Sequence, residues 1–293
     1  MAEKIVRANG IDIWTEDFGD PADPLLLLIM GASAQGIYWH EGLVQAIVDR
    51  GRYVIRYDNR DTGQSTCFEV GAPPYTLDDM AADAVGVLDA YGIATADVAG
   101  ASMGGMIVQA LALQHRDRIR SATIIMSSPL SGGGAQPELG SDDLPGPDPE
   151  WMAETFAMMA APVETREEKI AMRIEMFRRL AGSAEPFDEE RQRDIATREV
   201  DRAKDFAAMN NHGIAIGMSS PPDRRPLLKE LDVPALVVHG TEDPILPYAH
   251  GVALAETIPG ASFLTLEGAG HEMPDMYLDG MIDAMMEVSA RAG

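Results

Sequence analysis

The chain has 293 residues, enough for one large domain or two ordinary ones, and enough to bury a core unaided by metal or disulfide. Its 47 Asp and Glu against 23 Lys and Arg give a formal charge of −24, which repels phosphate backbones and anionic lipid. Nucleic acid and membrane are therefore not expected as partners. Cys67 is the single cysteine, which excludes an internal disulfide and fits a reducing compartment. The opening "MAEKIVRANG" lacks the apolar stretch of a secretory signal, so a cytoplasmic location is expected.

The first clear element is "IDIWTEDF" (11–18), which alternates apolar and polar residues as a half-exposed strand does. "LLLLIM" (25–30), "YVIRYD" (53–58), "DVAG" (97–100) and "ATIIM" (122–126) are short apolar runs suited to a buried parallel sheet. The first of these is too short to span a bilayer. Helical patterns lie between them. In "TLDDMAADAVGVLDAYG" (76–92), Leu77, Met80, Ala81, Ala84, Val85, Leu88 and Tyr91 share one face, and Gly92 closes the helix. Such alternation predicts an α/β fold with a mostly parallel central sheet flanked by helices.

The rhythm breaks after Met126. Residues 127–150 form a Gly/Pro/Ser-rich connection, and helix-like segments without strands run from about Trp151 to about Asn211. Strand "PALVVHG" (234–240), a helix near 248–258, strand "SFLTLE" (262–267) and a helix from about Met276 resume the pattern. The reading is a core domain of residues 1–128 and 230–293, with a helical cap of residues 129–229 inserted after the strand at 122–126. Met152, Met158, Met159, Met172 and Met176 are expected to fill the contact between cap and sheet, with some free to line a pocket.

The chemistry centres on Gly100-Ala101-Ser102-Met103-Gly104. A serine between a strand and a helix is a common N-cap, but this one is ringed by small residues, as a sharp strand-turn-helix elbow demands. The helix amino terminus behind it favours developing negative charge. A serine nucleophile needs a base, and the base needs an acid to orient it. Glu242 and Asp243 follow the strand at 234–240; Asp243, short and fixed by Pro244, is preferred. Of six histidines, His40 and His115 precede the acid, His212 falls in the insertion and His239 in a strand. His250, in a helix's first turn, is expected at the surface. His271, in the loop "LEGAGHEMP", completes the order Ser, Asp, His. A tetrahedral intermediate needs two backbone N–H donors, expected from Met103 and from Ala32, with Gly31 allowing the chain to turn. Gly31, Trp151, Phe156, Met159 and Phe177 are expected to bind substrate. No cofactor and no metal are expected.

The loop "MGASAQG", "RYDNRDTGQS" (56–65), "GASMG", "GTEDPILP" and "GAGHEMP" together resemble the α/β-hydrolase superfamily, in its capped branch. The layout is further similar to methylesterases acting on anthracycline polyketides. Two departures stand out. Met30 replaces the histidine that many relatives carry before this glycine, and "DNRDTGQS" replaces the commoner Asp-x-Arg-Gly-x-Gly-x-Ser. The resemblance implies a serine ester hydrolase working through an acyl-enzyme on a small-molecule ester. Lactonase, peptidase and C–C hydrolase activity, or a low-turnover receptor, are the alternatives within the fold. Oligomeric state is not legible.

Overall fold

In a computed structural model, described for residues 2–131 and 144–292, the chain builds one eight-stranded sheet. Its strands are β1 (Ala2–Ala8), β2 (Ile11–Phe18), β3 (Leu25–Ile29), β4 (Tyr53–Tyr57), β5 (Ala96–Ala101), β6 (Ile119–Ile125), β7 (Ala235–Gly240) and β8 (Ser262–Leu266). They lie in the order β1-β2-β4-β3-β5-β6-β7-β8. Only the pairs β1–β2 and β2–β4 are antiparallel.

Strand β3 shows why the centre of this sheet is parallel and covered on both faces. Leu25, Leu27 and Ile29 enter one apolar cluster and Leu26 and Leu28 the other, because successive side chains point to opposite faces. Helices α2 (Leu77–Ala90) and α3 (Met103–Gln114) cover the first face, and α1 (Glu41–Val48) and α10 (Asp275–Ala290) the second. Helix α2 begins with a capping box of Thr76 and Asp79, and Gly92 follows it at φ +68°.

Between β6 and β7 the chain forms α4 (Pro149–Ala160), α5 (Arg166–Leu180), α6 (Glu189–Arg202), α7 (Asn211–Met218) and α8 (Arg225–Leu228). A lone bridge joins Leu130 to Asp223. The central part of the Gly/Pro-rich connection, residues 132–143, lies outside the described residues. Helix α9 (Ala249–Thr257) follows β7. Among the described residues no helix is long and apolar enough to cross a membrane.

Chain order reverses around β3: β4 lies on one side of it and β5 on the other. In open α/β sheets such a switch point leaves a crevice beyond the carboxyl ends of the strands. The loops after β3 and β5 meet there.

Candidate active site

Ser102 sits between β5 and α3 at φ +56°, ψ −119°, a backbone state a serine holds only under constraint. The constraint is visible. Its N–H donates to the Ile125 carbonyl at 2.8 Å, and its carbonyl accepts from Ser127 Oγ at 2.8 Å. The turn closes only because Gly100 and Gly104 touch: a Cβ on Gly100 would stand 2.2 Å from the Gly104 carbonyl oxygen. No hydrogen bond joins the Ser102 side chain to the helix end, so the N-cap alternative does not describe its geometry.

Gly31 brings the loop after β3 against the elbow; a Cβ there would stand 3.0 Å from Ser102 Cβ. Ala32 follows it and lines the same cavity as Ser102. Met103 is the first residue of α3, so its N–H has no acceptor within the helix. An oxyanion formed at Ser102 would require two backbone N–H donors, and Ala32 and Met103 are the two residues next to the elbow that could supply them.

His271 Nδ1 lies 2.7 Å from Asp243 Oδ2, which leaves Nε2 for proton exchange. Asp243 Oδ1 accepts the N–H groups of Ile245 and Leu246 at 3.0 and 2.8 Å, so the Asp-Pro turn fixes its carboxylate. Burial alone would raise its pKa. Electrostatic attraction to His271 and hydrogen bonds from His239 and His271 outweigh that and hold it well below the usual carboxylate range. His239 is buried behind this pair, with Nε2 2.7 Å from the Leu246 carbonyl and 3.4 Å from Asp243 Oδ2. Glu242 points elsewhere, accepting the N–H and hydroxyl of Ser183 at 2.9 and 2.8 Å.

Ser102, His271, Gly31, Ala32 and Phe177 line one cavity of about 190 Å³. Its walls include Met30, Tyr38, Met126, Leu180, Ile195 and Met273, and its rim Glu185, Asp188, Arg191 and Glu272. Tyr38 and Phe177 stack with centroids 4.5 Å apart. Trp151, Phe156 and Met159 are not brought to this cavity. All three sit on α4: Trp151 donates its indole N–H to the Arg179 carbonyl, while Phe156 and Met159 are 59% and 39% exposed. None of the five cap methionines lines the cavity; its methionines, Met30, Met126 and Met273, come from loops at the sheet edge. His250 is another departure, fully buried between Ser128 Oγ and the Pro145 carbonyl, both at 2.8 Å.

Sequence reading missed the segment after α5, which braces the histidine loop. His271 N–H donates to the Leu180 carbonyl at 2.7 Å, Gly182 N–H to Glu272 Oε1 at 2.7 Å, and Ala184 N–H to the Gly268 carbonyl at 2.9 Å. Glycines at 182 and 270 were the available signal, since a Cβ on either would stand 2.1 Å from a carbonyl oxygen of the facing segment.

A family model described as the alpha/beta hydrolase fold matches residues 24–275. The rhodomycin D methylesterase of Streptomyces peucetius is 33% identical over 94% of this chain and 93% of its own length. The pimeloyl-[acyl-carrier protein] methyl ester esterase of Aeromonas hydrophila is 29% identical over 89% of this chain and 92% of its own. Among solved structures, the enol-lactonase from Burkholderia xenovorans superposes with a TM-score of 0.75, covering 98% of this chain and 100% of that one at 24% identity. The chain belongs to the α/β-hydrolase fold family.

Proposed function

We propose that this chain is a serine carboxylic-ester hydrolase of the cytoplasm. It takes a neutral or cationic, largely apolar ester with a small alcohol, and the methyl ester of a polycyclic compound fits best. Ser102 Oγ attacks the ester carbonyl while its proton passes to His271 Nε2. The oxyanion is held by the N–H groups of Ala32 and Met103. Collapse expels the alcohol, which takes the proton from His271, and leaves an acyl-Ser102 ester. Water then attacks, giving its proton to His271; collapse returns that proton to Ser102 Oγ and frees the acid. Asp243 stays ionised throughout and fixes the imidazole.

The observation that carries this reading is the positive-φ turn at Ser102 opening onto the same cavity as the paired His271. The two methyl-ester-cleaving relatives support methanol as the alcohol released. The stacked Tyr38–Phe177 wall suits a flat ring, and a cavity of about 190 Å³ takes the ester and its adjoining ring while a larger body extends to the rim. There Arg191 is neutralised by Asp275 at 2.6 Å, leaving the rim no net attraction for an anion. We assign residues 129–229 as the cap over this cavity, since Phe177, Leu180 and Ile195 come from its helices.

The test compares kcat/KM for a bulky aromatic methyl ester, a short aliphatic ester and a peptide amide at fixed ionic strength. The aromatic methyl ester is expected to lead. Preference for the amide would make the protein a peptidase, and preference for the short ester would mean the cap closes the rim to larger substrates.

A further inference from the structure

The loop after β3 turns through Ser33, a non-glycine residue at φ +58° that persists only because its surroundings hold it. Every polar group of Ser33 is held by the inserted helices and the turn before α7. Its N–H donates to His212 Nδ1 at 2.9 Å, its hydroxyl to the Met209 carbonyl at 3.0 Å, and its carbonyl accepts from Arg173 Nη2 at 2.8 Å. His212 is fully buried, and its Nε2 donates to the Arg60 carbonyl at 2.7 Å. That bond leaves Nδ1 bare to accept. Arg173 is itself fixed by Glu199 at 2.6 and 3.0 Å.

Ser33 is bonded to Ala32, whose carbonyl shares a peptide plane with the Ser33 N–H. On the other side, the Met30 carbonyl accepts from Asn59 Nδ2 at 2.9 Å. Ala32 is thus suspended between two clamps, one from the sheet edge and one from the insertion. We infer that His212 and Arg173 are positioning residues: they aim the Ala32 N–H at the oxyanion, so the hole is complete only when the inserted helices are docked. The inference rests on the proposed esterase mechanism. Neither residue lines the cavity, so their loss acts on the transition state more than on substrate binding.

The test replaces His212 by Gln and by Asn and measures kcat, KM and affinity for an aryl trifluoromethyl ketone, whose adduct with a serine carries an oxyanion. Gln retains a donor for the Arg60 carbonyl but places no acceptor at the Ser33 N–H; Asn sets its amide oxygen close to the lost Nδ1. His212→Gln is expected to lower kcat roughly 10- to 100-fold, to weaken the ketone in proportion, and to leave KM nearly unchanged. His212→Asn is expected to keep most of both. Wild-type kcat and ketone affinity in His212→Gln, or equal losses in the two variants, would overturn the inference. Should neither variant fold by circular dichroism, Arg173→Lys takes their place, keeping the charge beside Glu199 but losing the fork that reaches Ser33. Ketone affinity undiminished there overturns it as well. Wild-type protein that turns over no ester refutes the proposed function instead, and does so before any variant is made.

Discussion

Strand β3 is buried without a gap from Leu25 to Ile29, whereas the buried apolar contact between α5 and α6 is confined to Ile170, Ile174 and Ala196. The inserted helices meet the sheet through a few apolar residues, Phe177, Ile195, Ala215 and Leu228, and through buried polar bonds that fix the sheet-edge loops. Arg173 and Glu199 pair with each other and reach Ser33 and Tyr38, while Arg202 meets Asp58 at 2.8 Å and Gln35 at 2.5 Å. Hydrophobic burial is non-directional and holds the sheet together without setting any one loop. Buried polar contacts are directional and costly to leave unmade, so they fix the height and angle at which the helices meet the site. Stability resides in one region and placement in the other.

The sharpest break in that comparison removes the reacting group and leaves both regions intact. Ser102→Ala is expected to cut kcat by several orders of magnitude, toward the roughly 10⁶-fold loss found when a triad serine is deleted. The melting temperature should not fall, because the variant removes only an oxygen. Next comes the acid. Asp243→Asn should cost about 10⁴-fold in kcat, since the imidazole loses the partner that fixes its tautomer. Glu242→Gln should cost far less, its carboxylate being spent on Ser183. Equal losses in a steady-state assay would show that Asp243 does not orient His271.

Stability measurements separate the two regions directly. Among the inserted helices, Arg173→Leu strands the Glu199 carboxylate in the interior and should cost about 3–5 kcal/mol. Ile174→Ala beside it should cost only about 2 kcal/mol, because a small cluster near solvent relaxes around the gap. In the sheet the apolar residue dominates: Leu27→Ala, fully buried, belongs at the upper end of the usual range, about 4–5 kcal/mol. Urea midpoints ranking Ile174→Ala above Arg173→Leu in damage would reverse the account of the insertion.

The smallest effect is on pH. Burial depresses the pKa of His212, which faces Arg60 and Asp61, and of His250, which faces His239, Asp243 and Arg225. Below the ordinary value of 6.5 the unfolded chain takes up protons that these folded histidines refuse. Their contribution is therefore present above pH 6.5 and is lost as pH falls below it, by at most about 1.4 kcal/mol per histidine per pH unit. Urea midpoints recorded from pH 7.5 to 5.5 should decline; a flat series contradicts the buried neutral state.

What could be read in the sequence was local. The small residues about Ser102 and the proline after Asp243 constrain the backbone where they stand, and the Ser, Asp, His order follows from strand succession. The strand β1 escaped notice because its residues are mostly exposed at the sheet edge, without an apolar alternation to betray them. Trp151, Phe156 and Met159 were apolar enough for a pocket, but α4 docks through Trp151 on the end of α5, and none of its residues is among those lining the cavity. His212 was passed over because it falls in the insertion; the N–H it holds lies 179 positions away. His250 in a first helical turn suggested solvent, yet the loop carrying Pro145 closes over it.

Peptide mapping after treatment with a fluorophosphonate tests the central claim most directly, because only an activated serine reacts at neutral pH. The account predicts one adduct, on the peptide carrying Ser102, lost in Ser102→Ala and strongly slowed in His271→Ala. An adduct on any other serine, or labelling of Ser102 that survives the removal of His271 at the full rate, would contradict it.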